Sequence, residues 1–349
     1  MFEINKFRCM AHLMPKKGWL NDPNGLSVYR GEHNIFFQAS PDYPAEGEKC
    51  WGWYVTKDFR TYRYCGMALR PDHKLDANGV YSGSAIEKDG KLYLFYTGNV
   101  KESGDYDYVT AGRLATVISV FTSDGKTFSP KKVLLTNSDY PADYSCHVRD
   151  PKVWEEDGRY YMLLGGRTLD NEGALLTYIS SDLEKWQLYS DRRFSDLGYM
   201  LECPDFYRLC GKQITSFCPQ GVAEQGERFK NLFSSGYCIG EISKDNFCEW
   251  DKGYDFYAPQ SYCDDKNRRI MIGWAGLADA KLPYSYDATL PEGWIHCLTT
   301  PREVLFKNGR LNTFPIEEIL TLAEGYTPAK SSSLDCYFAK INVFGECKI

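Results

Sequence analysis

EKDGKLYLFY, Glu87 to Tyr96, sets an Asp-Gly pair ahead of an apolar, aromatic run, the chemistry of a hairpin turn feeding a buried strand. The same arrangement recurs as YRGEHNIFFQ around Gly31, EEDGRYYMLL around Gly158, RLCGKQITSF around Gly211 and CDDKNRRIMIGW around Asn267. The five turns lie 59, 68, 53 and 56 residues apart. A second pattern keeps step with the first: Ser or Thr, then Asp, then an aromatic residue. It appears as TKDFRTY (56–62), TSDGKTF (122–128), SSDLEKW (180–186) and SKDNFCEW (243–250), each some 25 to 35 residues after a turn. Short aromatic and β-branched strands with a period near 60 residues describe sheets of about four strands arranged radially. Five periods predict an all-β chain folded as a five-bladed β-propeller over residues 1–325, whereas a sandwich or barrel would not need so regular a repeat. Helical patterning is convincing only in FPIEEILTLAEG (314–325), which is expected to end the propeller.

Composition narrows the function. The 349 residues are 43% hydrophobic and 25% charged, with a net charge of -6, and no basic run interleaved with aromatics occurs, which argues against a nucleic-acid partner. No apolar stretch approaches membrane-spanning length and the N-terminus lacks an export-type apolar region, so a cytoplasmic protein is expected. Thirteen cysteines, an odd number in a long chain without an export signal, read as free thiols. With no Cys-x-x-Cys and five scattered histidines, neither a metal site nor a cofactor is expected.

The same repeat organises the acidic residues. Asp22 in GWLNDPNGL lies nine residues before its turn, Asp150 in HVRDPKVW eight, and Glu202 in LECPDF nine. Each is followed within two residues by proline, which disfavours helix and sends the chain into a strand. Propeller symmetry would bring these positions to one funnel, so three carboxyl groups should converge. The corresponding places in the second and fifth repeats hold Ser82 and Ala258-Pro259, small or polar groups that leave room for a ligand. The plainer alternative is that Asp-Pro and Glu-Cys-Pro are strand-entry devices whose convergence is accidental. Like charges held close cannot all ionise freely, and a protonated acid beside a carboxylate is the pairing that glycosidic cleavage uses. Trp19, Trp51, Tyr81 and Trp274 lie near the acids in sequence or in the repeat and suit the apolar faces of a sugar ring, although Trp51 or Trp274 reads equally well as core.

HLMPKKGWLNDPNGL, VYSGSAI, HVRDPKVW, LECPDFY, FYAPQ, IGWAG and WIHCLTTPREV, in this order, resemble glycoside hydrolase family 32, the invertase and fructanase family, over roughly residues 8 to 325. The likeness is nearest to its bacterial sucrose-6-phosphate hydrolases. That resemblance implies retaining hydrolysis of β-fructofuranosides, with Asp22 as nucleophile, Glu202 as general acid and base, and Asp150 as the stabiliser that holds fructose hydroxyls. It also implies that Asn21, Gln38, Ser82, Arg149 and Trp274 contact the fructosyl unit. A retaining pair should stand about 5 to 5.5 Å apart, and Arg149 should keep Asp150 ionised while Glu202 carries the raised pKa.

Two stretches depart from the family's pattern. In EGEKCWGWY, Glu46 falls where an aromatic wall of the sugar site is expected and Trp53 replaces a histidine; both would alter specificity, and an inward Glu46 would repel a phosphorylated sugar. Only residues 326–349 stand where the family carries a β-sandwich, so they read as its remnant, and uncovered apolar propeller surface would favour self-association into a homo-oligomer. A fructosyltransferase using the same covalent intermediate and a non-catalytic sugar-binding propeller are the competing functional readings.

Overall fold

A computed structural model describes residues 7–9, 11–42, 47–276 and 289–322. They form five antiparallel sheets arranged as the blades of a propeller. Blade I comprises β1 (Gly18–Tyr29), β2 (Glu32–Ser40), β3 (Cys50–Thr56) and β4 (Arg63–Leu69), and blade II β5 (Val80–Lys88), β6 (Lys91–Lys101), β7 (Arg113–Thr122) and β8 (Lys132–Leu135). Blade III contains β9 (Tyr144–Glu156), β10 (Arg159–Thr168), β11 (Gly173–Ser180) and β12 (Gln187–Phe194). Blade IV contains β13 (Met200–Leu209), β14 (Lys212–Gln220), β15 (Gly236–Ile239) and β16 (Cys248–Glu249). Blade V is built from β17 (Tyr257–Cys263), β18 (Arg269–Ala275), β21 (Arg302–Lys307) and β22 (Arg310–Pro315), with the short β19 (Trp294–Ile295) and β20 (Cys297–Leu298) in the connection between them. β1, β5, β9, β13 and β17 are innermost, each packed on the next, and β17 returns to β1.

The turns that set the repeat behave as their chemistry requires. At Arg30-Gly31, Asp89-Gly90, Asp157-Gly158 and Cys210-Gly211 both central residues have positive φ, the backbone of the tight hairpin whose twist matches its strands. The Ser/Thr-x-Asp pattern forms the corner after the third strand of the first three blades. Asp58, Asp124 and Asp182 each accept two backbone N–H bonds through Oδ1, from Arg60 and Thr61, Lys126 and Thr127, and Glu184 and Lys185. These local bonds favour the ionised carboxyl, and all three pKa values fall below the ordinary range.

Five hydrophobic layers fill the spaces between blades. Phe36, Trp51 and Trp53 of blade I meet Leu92, Leu94 and Tyr96 of blade II, while Ile35 and Phe37, on the opposite face of β2, meet Ile270 and Ile272 of blade V. A middle strand is therefore buried on both faces, which is why Ile35-Phe36-Phe37 carries no polar alternation. Each such side chain contributes about 2 kcal/mol by leaving water. The ring closes where β19 adds to β1 in parallel, aided by bonds from Gly18 N–H to the Gly293 carbonyl and from Leu298 N–H to the Leu13 carbonyl.

One expectation changes at the C-terminal side. The segment read as helical from residue 314 is still strand at Phe314 and Pro315, which pair with Glu303 and Arg302, and the helix runs only from Glu317 to Leu320. Ladder pairing with β21 overrides the local helical preference. The expected domain boundary at 325 lies outside the described residues. At this edge Leu305, Phe314, Leu320 and Leu322 are exposed.

Candidate active site

Every innermost strand carries a bulge, where two residues oppose one on the neighbouring strand. The pairs are Asn21–Asp22 against Gln38, Tyr81–Ser82 against Thr97, Asp150–Pro151 against Leu164, Cys203–Pro204 against Phe217 and Ala258–Pro259 against Gly273. Bulges bend a strand and re-aim its side chains. Asp150, Cys203 and Ala258 occupy the left-handed region, with φ of 64°, 46° and 48°, and in each case proline follows at a place where its missing N–H breaks no ladder bond. Relative to the bulge, Glu202 stands just before it, Asp150 first within it and Asp22 second. Counting back from the turns makes the acids almost equivalent; the bulges instead put them at three successive steps.

The three acids nevertheless meet, and Cys203 joins them. Its thiol lies 3.5 Å from Asp22 Oδ2, its backbone N–H donates to Asp150 Oδ2 at 2.9 Å, and it directly follows Glu202. Asp22 is held by neutral donors: the Ser82 hydroxyl at 2.5 Å, the Asn21 amide at 3.2 Å and that thiol. Asn21 in turn donates to Gln38 Oε1 at 2.5 Å, and Gln38 to the Val80 carbonyl. Glu202 is held differently. Oε1 accepts Arg149 Nε at 3.1 Å and Nη2 at 2.5 Å, while Oε2 accepts Gln220 Nε2 at 2.7 Å and the Tyr257 hydroxyl at 2.6 Å. Below the acids, Lys152 pairs with Asp205 at 2.8 Å and donates to the Ser261 carbonyl, so the inner strands are tied by a buried ion pair.

Burial is the main force on the carboxyl pKa values. Asp22 is pushed up to about 6, with the Glu202 charge adding to the rise and the Ser82 hydroxyl opposing it. Asp150 is pushed up to about 7, because burial outweighs the Arg149 guanidinium, whose Nε lies 4.0 Å away, and Glu202 adds to the rise. The expectation that Arg149 keeps Asp150 ionised is therefore corrected: the guanidinium is turned toward Glu202 and leaves Asp150 with the weaker contact.

The aromatic candidates divide. Trp19 is half-buried, donates its indole N–H to His296 Nδ1 at 2.8 Å and carries Lys49 Nζ 3.1 Å above its ring centroid. Trp274 is 2% exposed and stands edge-on to Trp19 and Tyr257 with centroids 6.3 Å away in both cases. Tyr81 is half-buried beside Ser82. Trp51 and Trp53 belong to the core instead, which corrects their assignment to substrate contact and to specificity. The period of two along β3 sends both to the face packed on blade II; Trp51 is fully buried and donates to the Tyr81 carbonyl, and Trp53 stacks on Phe36 and donates to Asn34. Glu46 lies outside the described residues. Sequence reasoning missed Cys203, Gln220, Tyr257 and His147 as site residues, although Cys203 and Tyr257 stand inside quoted motifs next to residues that were singled out.

With this geometry in place, comparison adds identity. Residues 12–315 match the model of the glycosyl hydrolases family 32 N-terminal domain. A sucrose-6-phosphate hydrolase of Staphylococcus xylosus is 38% identical over 325 residues, covering 90% of this chain and 63% of that protein. A raffinose invertase of Escherichia coli is 38% identical over 336 residues, covering 93% of this chain and 68% of that one. Among solved structures, a sucrose-6-phosphate hydrolase from Lactobacillus gasseri superposes with a TM-score of 0.80 at 30% identity, covering 91% of this chain and 65% of that one. A variant of a Bombyx mori β-fructofuranosidase in complex with sucrose gives 0.79 at 31% identity, covering 92% and 68%. The chain thus spans about two thirds of the length of these relatives. A five-bladed propeller with three carboxyl groups gathered at its inner strands, matched over residues 12–315, belongs to glycosyl hydrolase family 32.

Proposed function

We propose that this chain is the catalytic propeller of a retaining β-fructofuranosidase acting in the cytoplasm on sucrose and sucrose 6-phosphate. The observation that carries the reading is the meeting of Asp22, Asp150 and Glu202, from blades I, III and IV, around Cys203. The relatives named as sucrose-6-phosphate hydrolase and raffinose invertase support the substrate class. Eleven free thiols among the described residues suit a reducing compartment, and none of the described helices is long and apolar enough to cross a membrane.

In this reading an Asp22 oxygen attacks C2 of the fructosyl unit as the bond from C2 to the glycosidic oxygen breaks. Glu202 delivers its proton to that oxygen, and the glucosyl part leaves as an alcohol. Water then attacks C2, giving its proton to Glu202 and releasing fructose and the Asp22 carboxylate. Asp150 accepts bonds from fructose hydroxyls. Two inversions at C2 retain configuration, and the course calls for carboxyl groups about 5 to 5.5 Å apart. In the resting site Glu202 accepts four hydrogen bonds, two of them from Arg149. As substrate binds, Arg149 exchanges that fork for a bond to the substrate and frees Oε1 of Glu202 to meet the glycosidic oxygen.

The test is release of glucose and fructose from sucrose, sucrose 6-phosphate, 1-kestose and levan oligosaccharides, with Asp22→Ala as the blank. From sucrose, equal release of glucose and fructose, lost in the variant, is expected, and from sucrose 6-phosphate equal release of glucose 6-phosphate and fructose; glucose in excess of fructose from sucrose would mean transfer. Sugar binding without any release would overturn the enzymatic reading.

A further inference from the structure

Arg149 is gripped from two sides. While Nε and Nη2 hold Glu202, Nη1 donates to His147 Nδ1 at 2.6 Å, and the far side of that ring, Nε2, meets the Tyr108 carbonyl at 3.1 Å. His147 and Arg149 are two apart on β9 and share a face. The two contacts of the ring are chemically exacting. A guanidinium can only donate and a carbonyl can only accept, so Nδ1 must offer its lone pair and Nε2 must carry the hydrogen. One neutral tautomer satisfies both contacts at once, whereas an imidazolium keeps the bond to Tyr108 but turns a second donor toward Arg149.

The surroundings hold that state. Burial, together with the nearby charges of Arg149, Arg113 and Arg167, drives the His147 pKa down to about 3. The carbonyl that receives Nε2–H is itself fixed. Asp107 Oδ1 accepts the N–H groups of Val109 and Thr110 at 2.8 Å each, Tyr108 has a positive φ of 56°, and Cys146 N–H donates to the Val109 carbonyl at 2.7 Å. The segment between β6 and β7 of blade II is in this way tied to the first strand of blade III immediately beside the site.

We propose that His147 is a positioning residue for Glu202 acting through Arg149: a neutral Nε2–H imidazole that links the guanidinium to the Tyr108 carbonyl. The proposal rests on the assignment of Glu202 as general acid and base. It gives Arg149 a pivot. When substrate draws Nε and Nη2 away from Glu202, the bond from Nη1 to His147 keeps the guanidinium at the site, and the fork returns to the same place each cycle. Without the Nδ1 acceptor, Arg149 loses one of its anchors, and Glu202 keeps Gln220 and Tyr257 on Oε2 but loses the fixed placement of the fork on Oε1.

Two substitutions separate the contacts. His147→Asn places an amide oxygen near the position of Nδ1 and keeps the acceptor for Arg149 while losing Tyr108; His147→Gln places an amide N–H near the position of Nε2 and keeps Tyr108 while losing Arg149. Both delete one hydrogen bond, so similar Tm values are expected. On sucrose, His147→Gln should lower kcat by about tenfold or more with KM within about twofold, and His147→Asn should restore kcat to within about threefold of the parent. On a fructofuranoside whose leaving group needs no protonation, the His147→Gln defect should shrink several-fold, because the work of Glu202 in the first step is bypassed. Equal defects in the two variants, or a His147→Gln defect that ignores the leaving group, would overturn the proposal. Nitrogen NMR of the imidazole rings is independent of turnover: the proposal requires His147 to remain the neutral Nε2–H tautomer from about pH 5 to 8. A ring that titrates in that range, or the opposite tautomer, overturns it even if Glu202 proves not to be the acid, while intact ring chemistry in a protein without hydrolysis would locate the failure in the enzymatic reading.

Discussion

Asp22 on blade I and Glu202 on blade IV are carboxyl groups of one site held by opposite means. Asp22 accepts from a hydroxyl, an amide and a thiol, none of them charged, and its direct hydrogen bonds come from residues on blades I, II and IV. Glu202 accepts from a guanidinium, an amide and a phenol, and the cation reaches it from blade III. Neutral donors fix the direction of a carboxylate without neutralising it, which preserves a nucleophile. A mobile cation can stabilise a carboxylate in one step and release it in the next, which suits a group that must gain and lose a proton. The difference supports the proposed roles, Asp22 as nucleophile and Glu202 as acid and base.

Breaking the Asp22 side should cost most. Asp22→Ala is expected to reduce kcat/KM for fructose release by on the order of 10⁴-fold or more, measured by product release with the fold checked by circular dichroism. Glu202→Gln should cost about 10² to 10⁴-fold on sucrose and much less on a substrate with a good leaving group, since only the first needs a proton. Residual activity equal on both substrates would remove Glu202 from the acid role.

Sharper tests follow from the raised pKa values of Asp22 and Asp150. The Ser82 hydroxyl lowers the Asp22 pKa, so Ser82→Ala should raise it further, move the acid limb of the kcat/KM profile above the parent's and slow turnover by about tenfold. An unchanged acid limb would contradict the assignment of Asp22. Asp150 tests stability. Its folded-state value near 7 exceeds the ordinary 3.8, so the folded protein binds more protons than the unfolded chain between those values, and stability is lost as pH rises through the window. Asp150→Asn should therefore raise Tm near pH 8, by on the order of 2 kcal/mol in stability, with the difference closing toward pH 4 while activity falls. The smallest effect belongs to the outer corners: Asp182→Ala removes two backbone bonds far from the acids and should lower Tm slightly while leaving kcat/KM unchanged.

What was legible in the sequence depended on range. Turns and corners are local: Asp89-Gly90 and the Thr122-x-Asp124 corner specify their own backbone, and their spacing revealed the blades. Asp22, Asp150 and Glu202 could be placed together because each stands at a fixed distance from such a turn. Bonds between blades left no spacing to read. Nothing near Glu202 announces Tyr257 on blade V, 55 residues away, and the link from His147 to Tyr108 spans 39 residues. Trp51 reads toward the sugar for a related reason: an aromatic strand looks like a sugar-binding wall until its neighbour blade shows which face is covered, and Trp53, singled out because it replaces a histidine, lies on that same covered face. The raised Asp150 pKa needed the direction in which Arg149 points, and that is set by the bulge after it.

The most direct test of the account is denaturing mass spectrometry of the chain quenched during turnover of a fructofuranoside with a good leaving group, using Glu202→Gln to slow the second step, followed by peptide mapping. A covalent gain of one fructosyl residue on the peptide containing Asp22, absent in Asp22→Asn, is the predicted result. An adduct on another residue, or turnover with inversion at C2 and no adduct, would contradict the central claim.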